Sequence, residues 1–123
     1  MNDEDIEREL IAKGKTAPRI TPEHINSLIL TEQYHVFPGT TLTVCALTLR
    51  NGYIVTGESA AASPENFDES IGRKIACRKA YDQIWALEGY LLRQRLYELE
   101  LKAQIDIDKA QLQALGDRDP MGR

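Results

Sequence analysis

The chain has 123 residues, of which 42% are apolar and 28% charged, with a formal net charge of −4. That length holds one modest core and excludes a catalytic domain joined to a separate cofactor domain, and the mix is globular rather than disordered. The negative balance disfavours sequence-independent binding of duplex DNA, which needs a positive field.

No apolar run approaches the roughly 18 residues that a membrane-spanning helix needs. The start, Met1-Asn2-Asp3-Glu4-Asp5, is acidic where a secretory signal is basic and then apolar. An intracellular, soluble chain is therefore expected, in which Cys45 and Cys77 stay as free, buried thiols.

Residues 3–13 read as a short helix, with acids in the first turn, Ile6, Leu10 and Ile11 on one side, and Gly14 placed to stop it. Residues 15–19 read as a linker, with Pro18 preventing continuation. Thr21-Pro22-Glu23-His24 is a helix start: Thr caps, and Pro suits the first helical position because its missing N–H costs nothing there. Ile25, Leu28 and Ile29 then give a buried stripe. Pro38-Gly39 marks a turn. Residues 41–50 alternate and are rich in β-branched side chains. Asn51-Gly52 then signals a hairpin, and residues 53–59 return.

A two-residue type I′ turn at Asn51-Gly52 pairs Arg50 with Tyr53, Leu49 with Ile54, Leu47 with Thr56 and Cys45 with Glu58. One face then carries Cys45, Leu47, Leu49 and Ile54, and the other carries Leu42, Val44, Ala46, Val55 and Tyr53. Both faces are substantially apolar, and an isolated ribbon is not stable in water. A further strand, for which residues 33–37 are the candidate, or a partner chain is expected to cover what helices cannot.

Ser63-Pro64-Glu65 repeats the cap-Pro-acid pattern and predicts a long helix from Pro64. Phe67, Ile71 and Ile75, then Ala76, Ala80, Ile84 and Leu87, form its apolar stripe. Gly89 marks a break or a close helix crossing. Beyond it, Leu92, Leu96, Leu99, Ala103, Ile107 and Ala110 recur at three- and four-residue intervals, an imperfect coiled-coil-like seam. The tail from Asp117 onward, with Pro120, is expected to fray.

Little here points to catalysis. Neither His24 nor His35 has a carboxylate or cysteine at metal-ligand spacing, so no metal site is expected. Ser59 lies in Thr56-Gly57-Glu58-Ser59-Ala60, which is not a nucleophile elbow. A glycine-rich phosphate loop is missing, and no catalytic residue or cofactor is assigned. Glu58, placed beside Cys45 and Leu47, needs a partner there. A helix Arg or Lys, exposure at the sheet edge, or a ligand's donor group each meets that need. Arg73, Lys74, Arg78 and Lys79 lie on adjoining helix rows, with Glu69 able to pair with Arg73. They form either a solvated face or an anion site, for which Tyr53, Phe37, Tyr81 and Trp85 offer stacking surfaces. Helical spacing favours Trp85 as a core or interface anchor.

Several blocks run in order from Phe37 to Leu92. They are Phe37-Pro38-Gly39-Thr40-Thr41, Asn51-Gly52, Gly57-Glu58-Ser59-Ala60, the stretch from Ser63 to Asp68, that from Ile71 to Ala76, and Trp85-x-Leu87-Glu88-Gly89-Tyr90-Leu91-Leu92. Together they resemble a family of small proteins of tailed phages and prophages, and the Thr21-Pro22-Glu23 helix also fits. The resemblance implies a phage-encoded accessory protein in the cytoplasm of a bacterial host. It implies action by binding, either inhibiting a host protein or sequestering a nucleotide signal of antiviral defence.

The expected class is α+β: an antiparallel hairpin or small sheet packed on helices, with a long C-terminal helix. The expected parts are an acidic helix (1–15), a ββα-like core (16–92) and a helical extension with its tail (93–123). The expected protein is non-enzymatic and homo-oligomeric, with Leu92, Leu96, Leu99 and Trp85 at the interface between copies. Its expected ligand contacts are Glu58, Ser59, Arg73, Lys74 and Tyr53, with a small anionic nucleotide or a host protein as partner. Nucleic acid is the weaker alternative.

Overall fold

The computed structural model describes residues 2–15 and 17–117. Within them the order is α1 (Asp3–Ala12), α2 (Pro22–Leu28), β1 (Ile29–Val36), β2 (Leu42–Leu49), β3 (Ile54–Ala60), a 3₁₀ turn (Pro64–Asn66) and α3 (Glu69–Asp117). The fold is α+β, as expected. Met1, Thr16 and the tail beyond Asp117, including Pro120, lie outside the described residues. The backbone falls into two units, Met1–Gly89 and Tyr90–Arg123.

The first unit is built on a three-stranded antiparallel sheet of order β1-β2-β3. The expected third strand is present and longer than its candidate segment: it begins at Ile29, which therefore leaves the helical stripe. The β1–β2 connection follows from Pro38-Gly39. Thr40 N–H donates to Phe37 O, with Pro38 second and Gly39 third at φ +76°, the pattern of a type II turn.

The β2–β3 hairpin differs from the expected register by one residue. A type I′ turn needs positive φ at both Asn51 and Gly52, and only Gly52 has it, at +89°. The chain instead closes Leu49 to Gly52 as a turn and adds Gly52 as a left-handed bulge, giving a three-residue loop. Arg50 is drawn toward α2, its N–H donating to Leu28 O at 2.9 Å and its Nε–H to Ser27 O at 2.5 Å. That contact competes with a direct Arg50–Tyr53 pair.

A one-residue slip moves every β3 side chain to the other face. Leu47 opposes Val55, Cys45 opposes Gly57 and Val44 opposes Glu58. The helix-facing side carries Thr43, Cys45, Leu47, Leu49, Val55 and Gly57, all buried. Ile54, Thr56 and Glu58 lie on the open face and are exposed. This corrects the expected positions of Ile54, Val55 and Glu58.

Pro64 does not open the long helix. Phe67 is extended, and Asp68 supplies the cap, its Oδ1 accepting from Ile71 N–H at 3.0 Å. The buried row of α3 in this unit is Gly72, Ala76, Ala80 and Ile84, whereas Ile71, Ile75 and Leu87 are exposed. The reason is steric. Gly57 lies so close to α3 that an added Cβ would sit 2.1 Å from Ala76 O and 2.5 Å from Ala80 N. Only a helix row of small residues seats this closely on the sheet, so the isoleucines flank it.

The core comprises Ile25, Cys45, Leu47, Leu49, Val55, Ala76, Ala80 and Ile84. Thr21 caps α2 through His24 N–H, and α1 carries an Asn2/Asp5 capping box. No α1 residue is fully buried, and Ile6 and Ile11 are exposed. Ion pairs tie α1 to the unit, Glu7 with Arg19 and Asp3 with Arg78. The helix continues through Gly89, and nothing lies within 4 Å of a Cβ built there, so among the described residues Gly89 marks neither of its two expected roles, a break or a close helix crossing.

The second unit is helical from Tyr90 to Asp117. Arg93 pairs with Glu100, and Gln94 and Gln104 bond to Glu98 and Asp108. Leu92 and Leu96 are half-buried, while Leu99, Ile107, Leu112 and Leu115 are at least 50% exposed. No helix is long and apolar enough to cross a membrane among the described residues.

Candidate functional site

Strand alternation points Glu32, Tyr34 and Val36 of β1 toward α3, opposite Leu47, Cys45 and Thr43. Between this part of β1 and the first turns of α3 lies an open groove of about 690 Å³, lined by Tyr34, Glu69, Arg73, Lys74, Cys77 and Arg78, with Ser70. The Arg73 guanidinium stands 5.7 Å from the Tyr34 ring centroid, and Arg78 stands 5.6 Å from that of Tyr81. Such stacking is worth about 0.5–1 kcal/mol at exposed sites and fixes where the charges point.

The basic groups are partly neutralised within the chain. Arg73 pairs with Glu69 at 2.6 Å, and Arg78 with Asp3 and Asp82. The Asp3 carboxylate raises the Arg78 pKa further above its ordinary value. Lys74 makes no ion pair among the described residues.

Sequence-predicted residues fall in different places. Arg73 and Lys74 share the groove. Glu58 lies on the open sheet face, beside a shallow hollow with Val44, Lys79 and Gln83. Ser59 is half-buried on the other face, near Phe67, Ile71 and Ile75. Tyr53 is 55% exposed at the hairpin end. A single chain therefore does not bring Glu58, Ser59 and Tyr53 to Arg73 and Lys74. Trp85 packs against the core, edge-on to Tyr81 at 6.5 Å.

Tyr34 and Cys77 of the groove belong to a cluster that no sequence signal marks. Cys77 Sγ donates to Glu32 Oε1 at 2.9 Å, and the Tyr34 hydroxyl donates to the same oxygen. Cys45 Sγ joins them: the sulfur and carboxylate ligand atoms of Glu32, Cys45 and Cys77 all lie within 4.8 Å of one another. The Cys77 and Tyr34 bonds hold the Glu32 carboxyl below its ordinary value. Burial, reinforced by Glu32, raises Cys77 and Tyr34. Cys45 is pushed up to about 12, chiefly by burial. The cross-strand pairing of Tyr34 with Cys45 was readable only once β1 and its register were known. His24 Nε2 lies 2.7 Å from Glu88 Oε1, joining α2 to α3.

One family profile, described as phage protein (N4 Gp49/phage Sf6 gene 66) family, matches residues 20–96, more than half of the chain. The chain belongs to that family. In this N4 Gp49/Sf6 gene 66 family member, the match takes in α2, the whole sheet and α3 as far as Leu96, a wider span than Phe37 to Leu92. Comparison with curated proteins and with solved structures returns no match. Two of the blocks between Phe37 and Leu92 meet in space as packing elements, through Gly57 against Ala76.

Proposed function

We propose that this phage protein is a non-enzymatic binding protein that takes a small anionic ligand of the nucleotide class in the groove between β1 and α3. It would sequester a nucleotide signal of host defence in the bacterial cytoplasm. The observation that carries this reading is the pairing of an aromatic face, Tyr34, with Arg73 and Lys74 in one groove. Guanidinium and ammonium groups bind phosphate, and an aromatic ring accepts a base or a sugar face. Glu69 and Asp3 neutralise Arg73 and Arg78 in the chain alone, so an incoming phosphate would exchange with them. Isothermal titration with cyclic nucleotides and ADP-ribose derivatives tests the reading. Binding heat lost in Arg73→Ala/Lys74→Ala supports it, and no heat with any of these ligands removes it.

Assembly of several copies belongs to the same proposal. It is supported by Ile54, exposed on the open sheet face, and by the exposed apolar residues of the Tyr90–Arg123 unit. Those same surfaces favour the second reading, an inhibitor or adaptor that binds a host protein. Pull-down from bacterial lysate that recovers one stoichiometric partner, lost on removing residues after Leu92, would select it. Steeply salt-dependent binding of nucleic acid would instead point to the third reading.

A further inference from the structure

The two cysteines of the chain are far apart in sequence and come from different elements, yet their sulfurs meet at one carboxylate. Cys45 projects from the central strand and is fully buried, Cys77 projects from α3 and is half-buried, and Glu32 stands on β1. Their ligand atoms lie within 4.8 Å of one another. A tetrahedral ion with arms of about 2.0–2.3 Å holds neighbouring donors roughly 3.3–3.8 Å apart, so side-chain adjustments of an ångström or so suffice.

We propose that Glu32, Cys45 and Cys77 form a binding site for a zinc-class divalent ion, which clips β1, β2 and α3 together. Two sulfurs and one carboxylate oxygen suit zinc, whereas magnesium and calcium take oxygen alone. The Tyr34 hydroxyl, already bonded to Glu32, orients the carboxylate as an outer partner of the ligand set. Cys77 and Tyr34 line the groove, which gives the ion a path in, and a water would complete four-coordination. Both thiols are protonated near neutral pH. Binding one ion therefore forms two metal–sulfur bonds and releases two protons to solvent. This inference stands independently of the nucleotide reading.

The test uses the reduced full-length chain, stripped with chelator and titrated with Co²⁺ and then Zn²⁺. One equivalent per chain is expected, with a near-ultraviolet cobalt–thiolate band that Zn²⁺ abolishes. Cys77→Ser and Glu32→Gln alter exposed or half-buried positions and are expected to keep the fold, checked by circular dichroism. They are expected to lose the stoichiometric complex, and Tyr34→Phe to weaken it about 10- to 100-fold. A wild-type chain without the band, or a band unchanged in Cys77→Ser, overturns the proposal. So does a Cys45–Cys77 disulfide in the freshly purified protein that persists in place of metal.

Discussion

Gly57 sits where α3 comes down onto β3, and a methyl group there would meet helix backbone that cannot rotate away. Gly57→Ala is expected to destabilise the chain by about 3 kcal/mol, at the upper end of overpacking costs, read as a lowered urea midpoint. Glu32 gives a pH signature. Its pKa is lower in the folded chain than its ordinary value of 4.5, so its contribution is complete above that value and is lost as pH falls through the folded pKa. Glu32→Gln should therefore be less stable than wild type at neutral pH. The gap should close as the solution is acidified below about 4.5, followed by thermal melts across pH. The thiols differ in access. Cys45 is fully buried and raised to about 12, whereas Cys77 is half-buried, so native alkylation at pH 8 followed by mass spectrometry should label Cys77 first.

Among the elements, α3 and the hairpin owe their form to different causes. The helix runs through Gly89, where a Cβ meets nothing within 4 Å. Gly89→Ala should stabilise the chain by about 1 kcal/mol, measured by urea unfolding, because alanine loses less backbone freedom on entering a helix. The hairpin depends on Gly52 at φ +89°. There a side chain brings a left-handed penalty of about 1–2 kcal/mol, and loss of the loop would free the register that keeps Val55 inside and Glu58 outside.

For the molecule as a whole, unpartnered apolar surface is the dominant fact. Ile54, Ile71, Ile75 and Leu87 are exposed in the Met1–Gly89 unit, and Leu99, Ile105, Ile107, Leu112 and Leu115 in the other. Soluble monomers rarely leave large contiguous apolar areas open. Light scattering of the full-length protein should give a mass above one chain, and removing residues 93–123 should lower it. A monomer in both forms would sink the proposed assembly.

The α+β class, the cap at Thr21, Asn51-Gly52 as a turn, and the long C-terminal helix were legible because each rests on local chemistry: a side-chain acceptor, a positive φ, a three-to-four residue stripe. Arg73 and Lys74 were legible as a basic helix face for the same reason. Packing decided the rest. Whether Asn51-Gly52 closes a two- or a three-residue loop turns on Arg50 reaching the carbonyls of Ser27 and Leu28, a long-range contact. That one residue reverses which face Glu58 occupies. Likewise, periodicity alone could not choose between the Ile71/Ile75 row and the Gly72/Ala76/Ala80 row. The close approach of Gly57 chose the small one. The meeting of Cys45, Cys77 and Glu32 has no local signal at all, since it needs β1, β2 and α3 in their final register at once. Hydrogen bonding within a few residues wrote the elements into the chain, while the faces they present were set by contacts that exist only after folding.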